Sequence, residues 1–259
     1  MLNLIARDLK VKYQTKALGF VWSLLYPALM IGIWYVVFKR VIKIEMPHYW
    51  AFLIVGMLPF QFVQNAIAEG SCAVRKNAAL IRKIYMPMEI LVIAGVTVKL
   101  IEFLLQLAVA MLLLFLLHRG DGASFSLGKT IFVLPIAVSL LYLFVLGVSL
   151  PLAGWTVIYR DLEHMVSLAL MALFYLTPVF WSLSFIGDKP WKRLFALNPV
   201  LDLIELFRGP LYWGDWPSNG ALGGGFFIAL VVACLFAGGT FIAGYTLFDR
   251  SKHVLAEVV

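Results

Sequence analysis

Apolar residues run along this chain in long blocks, and the charged residues gather between the blocks. A block needs about 20 apolar residues to cross the hydrocarbon of a bilayer as a helix. By that measure the pattern predicts six crossings, over residues 19–38, 49–68, 89–117, 130–158, 165–181 and 222–247. Short polar connections separate them: 39–48, 118–129 with Gly120 and Gly122, and the tight group 159–164. Residues 1–17 read differently, with Leu2, Ile5 and Leu9 at helical spacing among Arg7, Lys10, Lys12 and Lys16. That pattern predicts an amphipathic helix lying along the membrane surface. Residues 182–221 are too apolar for an exposed loop and too charged for another crossing. Two short helices dipping part-way into the membrane satisfy both facts, with Asn198-Pro199 starting the second; a single interfacial helix is the alternative.

Between the second and third blocks stands the most basic short stretch of the chain, residues 75–87. It carries Arg75, Lys76, Arg82 and Lys83 and has length for about three helical turns. Leu80 and Ile84 would share one face and Ala79 and Lys83 a neighbouring one. Two readings are open: a loop that only fixes topology, or a short cytoplasmic helix that receives force from another protein. Six crossings put both termini on one side, and the distribution of Lys and Arg favours the cytoplasm for them only weakly. Residues 75–83 are matched by no outer connection of similar length.

Inside the blocks, Pro27, Pro59, Gly147, Pro151 and Gly154 allow kinks or close helix contacts. Lys99 and Glu102 lie three apart in the third block, with Gln106 beyond them. An intrahelical ion pair accounts for them, and so does a functional charge in the membrane.

Composition agrees with the block pattern. Of 259 residues 63% are hydrophobic and only 14% charged, with mean hydropathy +0.94. A soluble domain carries about 25% charged residues, so the chain is read as one integral membrane domain over 1–259. The net charge of +7 suits lipid headgroups and topology, and no soluble basic domain is present to hold nucleic acid. The first residues lack the short basic region and apolar core of a cleaved signal peptide. Cys72 and Cys234 fall in separate blocks without metal-ligand spacing, and His48, His118, His164 and His253 are scattered among connections and tail. Neither a phosphate-binding Gly-rich loop ending in Lys-Ser or Lys-Thr, nor Gly-x-Ser-x-Gly, nor His-Glu-x-x-His occurs. No catalytic site, metal or cofactor is expected in this chain. Asp202 and Glu205 are the one tempting carboxylate pair, for which capping or ion pairing is preferred. With Lys99 and Glu102 nearly the only deeply placed ionisable groups, uphill transport would draw its energy from a partner.

Aromatic spacing bears on cargo. Trp22, Tyr26, Met30 and Trp34 recur every four residues, and Phe38 extends the row. With Phe60, Phe62, Phe174, Thr177 and Trp181 they would form a surface on which sugar rings stack and slide. Anchoring at the membrane interface and ordinary helix packing explain the same residues equally well.

Several passages together resemble the transmembrane subunits of bacterial ABC-2 type polysaccharide exporters, which handle O-antigen, capsular polysaccharide or teichoic acid. They are Arg7-Asp8-Leu9-Lys10-Val11-Lys12-Tyr13, Leu18-Gly19-Phe20-Val21-Trp22-Ser23-Leu24-Leu25-Tyr26-Pro27, Gly56-Met57-Leu58-Pro59-Phe60, residues 77–87, Tyr159-Arg160-Asp161-Leu162, Thr177-Pro178-Val179 and Leu197-Asn198-Pro199. The resemblance implies an all-α integral membrane fold: an N-terminal interfacial helix, six transmembrane helices, a cytoplasmic coupling helix and a re-entrant helical pair before the last span. It implies a homodimer in the bacterial inner membrane, both termini cytoplasmic, driven by two cytoplasmic ATPase subunits that hold ATP and Mg. The implied cargo is an undecaprenyl-linked polysaccharide. Carried onto this chain, residues 75–88 become the coupling region, with Arg75, Lys76, Leu80, Arg82, Lys83, Ile84 and Tyr85 facing the ATPase. Residues 1–17 become a second ATPase-facing element, and Arg7, Arg75 and Lys76 would attract the lipid pyrophosphate. An exporter of small lipids or drugs, a membrane enzyme acting on lipid-linked sugars and a passive scaffold are the competing readings.

Overall fold

The computed structural model describes residues 4–7, 10, 21–81, 86–117, 127–182, 195, 198–214 and 226–258. Among them every regular element is helical. Helix α1 spans Val21–Val36 and runs on through a π-helical turn at Val37–Val41. Next come α2, Tyr49–Lys76, and the single turn α3, Ala78–Ile81. Helix α4 is Met88–Leu117 and α5 is Leu127–Ile158. The last three are α6, Leu162–Leu176, α7, Pro199–Arg208, followed by a π-helical turn at Gly209–Trp213, and α8, Phe226–Val258.

Among the described residues five stretches are long and apolar enough to cross a membrane: Leu24–Val41, Tyr49–Lys76, Met88–Leu116, Thr130–Ile158 and Ala229–Lys252. The block at 165–181 departs from expectation. Its helix α6 has 15 residues, about 22 Å, against a hydrocarbon core of about 30 Å. It stops because Thr177 precedes Pro178, whose ring disfavours a helical conformation at the residue before it; Thr177 is extended, at φ −99° and ψ 123°.

Helix α2 is the central element. Most of its length is buried, from Tyr49 to Val74, and it packs against α4, α5, α6 and α7. Pro59 lies within it without ending it. In contrast α1 exposes Trp22, Tyr26, Leu29 and Ile33, and α8 exposes Val231, Leu235 and Ile242. Apolar faces of this kind need lipid or protein cover. Helices α5 and α8 touch backbone to backbone at Gly147 and Gly244: a Cβ on Gly147 would stand 2.5 Å from the Phe241 nitrogen, and one on Gly244 would overlap the Gly147 carbonyl oxygen. This is the close contact that Gly147 foreshadows in the sequence.

Candidate functional site

The two ends of the bundle carry different chemistry. At the end bearing Tyr49, α6 gives way to an irregular segment whose residues 177–180 are all buried. Non-helical backbone away from water is tolerated only where protein groups satisfy it. Three successive carbonyls find such partners. Arg208, at the last residue of α7 and 1% exposed, donates from Nη1 to Pro178 O at 3.1 Å and from Nη2 to Val179 O at 2.6 Å. Tyr49 donates its hydroxyl to Phe180 O at 2.7 Å. Arg208 also pairs with Glu205 at 2.8 Å and lies 3.8 Å over the Phe52 ring. Gly56 admits the guanidinium, since a Cβ there would sit 2.5 Å from Nη2.

Helix α7 itself starts as Asn198-Pro199 leads one to expect. The Asn198 side chain accepts from the Val200 amide at 3.1 Å, and Pro199 occupies the first helical turn. The Asn198 Nδ2 donates to Thr177 Oγ1 at 2.8 Å, tying the start of α7 to the end of α6. Tyr212, in the turn after α7, donates to Pro47 O at 2.6 Å. Burial pushes its hydroxyl above the ordinary tyrosine value, against a smaller opposing pull from Arg208, so it remains a donor. Glu205 takes the ion-pairing role preferred for it, while Asp202 is buried on the same helix.

The aromatic residues sort into separate groups. Trp34, Phe38 and Phe174 gather around Phe180, with ring centroids at 4.3, 5.3 and 4.9 Å from it, and Phe60 joins through Phe174 at 5.3 Å. Phe62 belongs elsewhere, stacked on Phe103 at 5.1 Å within the bundle. Trp22 and Tyr26 share the row with Trp34 and remain exposed on α1; Met30 is partly buried against the core, and Trp181 meets Phe195 edge-on at 5.4 Å. Beneath α1 an apolar groove of about 410 Å³ includes Pro27, Ile31, Tyr35, Trp50, Leu58 and Gln106. Tyr49, Phe52, Phe180, Arg208 and Tyr212 are members of this region that sequence reasoning did not single out. Arg208 had one legible sign, its position three residues after Glu205.

At the other end the chemistry is ionic. Arg75 pairs with Glu163 of α6, Lys76 with Glu69 at 3.0 Å, and Lys252 of α8 with Glu89 of α4. Arg75 and Lys76 close the last turn of α2. Asn77 then breaks the helix, its Nδ2 donating back to Ala73 O at 2.9 Å. Thus the expected three-turn helix over 75–87 begins as two pieces, α2 and α3, with Leu80 half-buried in α3. Arg82, Lys83, Ile84 and Tyr85 lie outside the described residues. The N-terminal segment meets this end: Arg7 donates to Asn77 Oδ1 at 3.3 Å, and Ile5 is buried against Ala94 and Val98. Nearer the middle of α4, Lys99 and Glu102 pair at 3.6 Å, as their spacing predicts.

Residues 1–212 match the ABC-2 type transporter family. The chain belongs to this family. It is a membrane-spanning ABC-2 permease, and the family implies an ABC transporter with an ATPase partner. Among curated relatives it is 28% identical, over 98% of its length and 92% of theirs, to an O-antigen export system permease protein, RfbA, of Klebsiella pneumoniae. It is 29% identical to the permease of the same name in Myxococcus xanthus, over 82% of this chain and 80% of that one. The polysialic acid transport protein KpsM of Escherichia coli is 25% identical, over 79% and 78% of the two chains.

Proposed function

We propose that this ABC-2 permease exports a lipid-linked, O-antigen-like polysaccharide across the bacterial inner membrane as half of a homodimer. The observation that carries this reading is the match to O-antigen export permeases along 98% of the chain. A capsular polymer is the second reading, favoured by the weaker likeness to a polysialic acid transporter. Undecaprenyl pyrophosphate is the proposed carrier, drawn by Arg7, Arg75 and Lys76 at the cytoplasmic face. In this account both termini are cytoplasmic and the chain crosses six times, α6 and the irregular segment 177–182 together making the fifth crossing. Arg208 and Tyr49 support that count, because they satisfy backbone that would otherwise be orphaned at depth.

Two ATPase subunits, holding ATP and Mg, dock on residues 75–88 and on the N-terminal helix. The Arg7 contact with Asn77 supports treating these as one surface. The exposed apolar faces of α1 and α6 support a second copy across a two-fold axis. The aromatic row from Trp22 to Phe38, with Phe60, Phe62, Phe174, Thr177 and Trp181, lines the passage during transport; Phe60, Phe62 and Thr177, buried in this conformation, must become accessible for that. Charge reversal of Arg82 and Lys83 to Glu tests the docking surface. Partner-stimulated ATP hydrolysis and polymer export should both fall in membranes with normal expression, and unchanged values in both assays would remove the surface from the account.

A further inference from the structure

Helix α6 is held differently from its neighbours. Of its 15 residues only Val166 and Leu170 are buried. An apolar hollow of about 450 Å³ lies between it and helices α2 and α5, lined by Ile67, Phe144, Val148, Met165 and Val166 among others. The side-chain ties of α6 are gathered mainly at its ends. At one end Glu163 pairs with Arg75 in the last turn of α2. At the other, Thr177 accepts from Asn198 at 2.8 Å, and the next two carbonyls accept from Arg208. Between them Gln64 donates to the Leu170 carbonyl at 3.1 Å.

A helix with its own hydrogen-bond ladder is stiff over a length of about 22 Å. A helix seated on few buried side chains of its own chain, beside a hollow, can shift against α2 and α5 with little loss of packing within the protomer. Motion of the Arg75 end therefore reaches Glu163 directly and travels to Thr177 as a rigid displacement. There it meets Asn198 and the irregular segment gripped by Arg208. We infer that α6 is a connecting rod between the ATPase-facing end and helix α7 at the opposite end, with Glu163 and Asn198 as the positioning residues that fix its two ends. This inference rests on the docking role proposed above for residues 75–88.

The test uses the assembled transporter, this chain with its ATPase subunit, in vesicles containing lipid-linked polysaccharide. Glu163→Gln removes one charge at nearly constant size. Asn198→Ser keeps an acceptor for the start of α7 but is too short to hold Thr177. Each variant should lower export about ten-fold while ATP hydrolysis stays within about two-fold of the parent, a split that general weakening of the fold would not produce. Because both act on one rod, the double variant should fall no further than the worse single one. Independent effects would multiply to a loss of about 100-fold.

Parent-like export in either variant, a multiplicative double loss, or hydrolysis falling in step with export would each overturn the inference. Should the variants not assemble, a spin label at Leu168→Cys, 69% exposed in the parent, in a Cys234→Ser background reports the same motion. ATP must change its distance to a matching label in the second copy, and an unchanged distance sinks the rod. Failure of the functional proposal itself would look different, since the parent transporter would then hydrolyse ATP without moving polymer.

Discussion

Replacing Gly56 by Ala probes the buried arginine through a residue that carries no side chain. The added Cβ would lie 2.5 Å from Arg208 Nη2, and 3.2 Å from both Cζ and the Val179 carbonyl oxygen. Arg208 cannot retreat freely, because Phe52 lies 3.8 Å from its Cζ and Glu205 holds Nη1. At least the Nη2 bond to Val179 O is lost, and a hydrogen bond to a charged group contributes about 1.5–3 kcal/mol. The gain in helix propensity from Gly to Ala offsets about 1 kcal/mol of this. The net expectation is a loss of about 0.5–2 kcal/mol, read as a lower unfolding midpoint of the purified protein in detergent.

The control is Arg208→Met, which keeps the apolar stem and leaves the position of Nη2 empty. In that background Gly56→Ala should be neutral or stabilising by up to about 1 kcal/mol. The propensity gain is common to both backgrounds, so the coupling between the two sites is about 1.5–3 kcal/mol. Equal costs of Gly56→Ala in both backgrounds, within about 0.5 kcal/mol, would refute the placement of the guanidinium against Gly56.

Other outcomes follow from the same contacts. Gly244→Ala forces α8 away from the Gly147 carbonyl and should cost about 1–3 kcal/mol, seen as a lower melting temperature. Arg208→Met itself leaves two buried carbonyls and the Glu205 carboxylate without their partner, a loss of about 3–5 kcal/mol that Glu205→Gln should partly relieve in the double variant. For Tyr212 the folded hydroxyl titrates above the ordinary value of 10.0. Its contribution is therefore complete below the ordinary tyrosine range and lost as pH rises through the raised folded value. The fall in melting temperature across that alkaline window should shrink in Tyr212→Phe.

The helices were legible because their cause is local. Apolar blocks placed α4 and α5 nearly at their observed limits and α2 at its observed start, and Asn198-Pro199 marked the start of α7. Helices α2 and α8 run further than the apolar blocks, since a helix continues past the membrane wherever polar residues still suit it, as Arg75 and Lys76 do. The shortness of α6 was harder to read: Val179, Phe180 and Trp181 are as apolar as the helix before them, so the break at Pro178 is hidden in hydropathy. The partners of that break were out of reach, because Tyr49 is 131 residues from Phe180 and Arg208 is 29 from Val179. Helical periodicity likewise put Trp22, Tyr26 and Trp34 on one row but says nothing of depth, and only the fold separates the exposed pair from the ring cluster around Phe180.

The central claim is that this chain provides the path for a lipid-linked polysaccharide while a separate ATPase provides the energy. Inverted membrane vesicles carrying labelled lipid-linked polymer on their outer, cytoplasmic face measure this directly, through protection of the polymer from an added glycosidase. Protection should require this chain, its ATPase subunit and ATP together, and should vanish when any one is withheld. Equal protection in vesicles lacking this chain, or none despite ATP hydrolysis by the complete complex, would contradict the account.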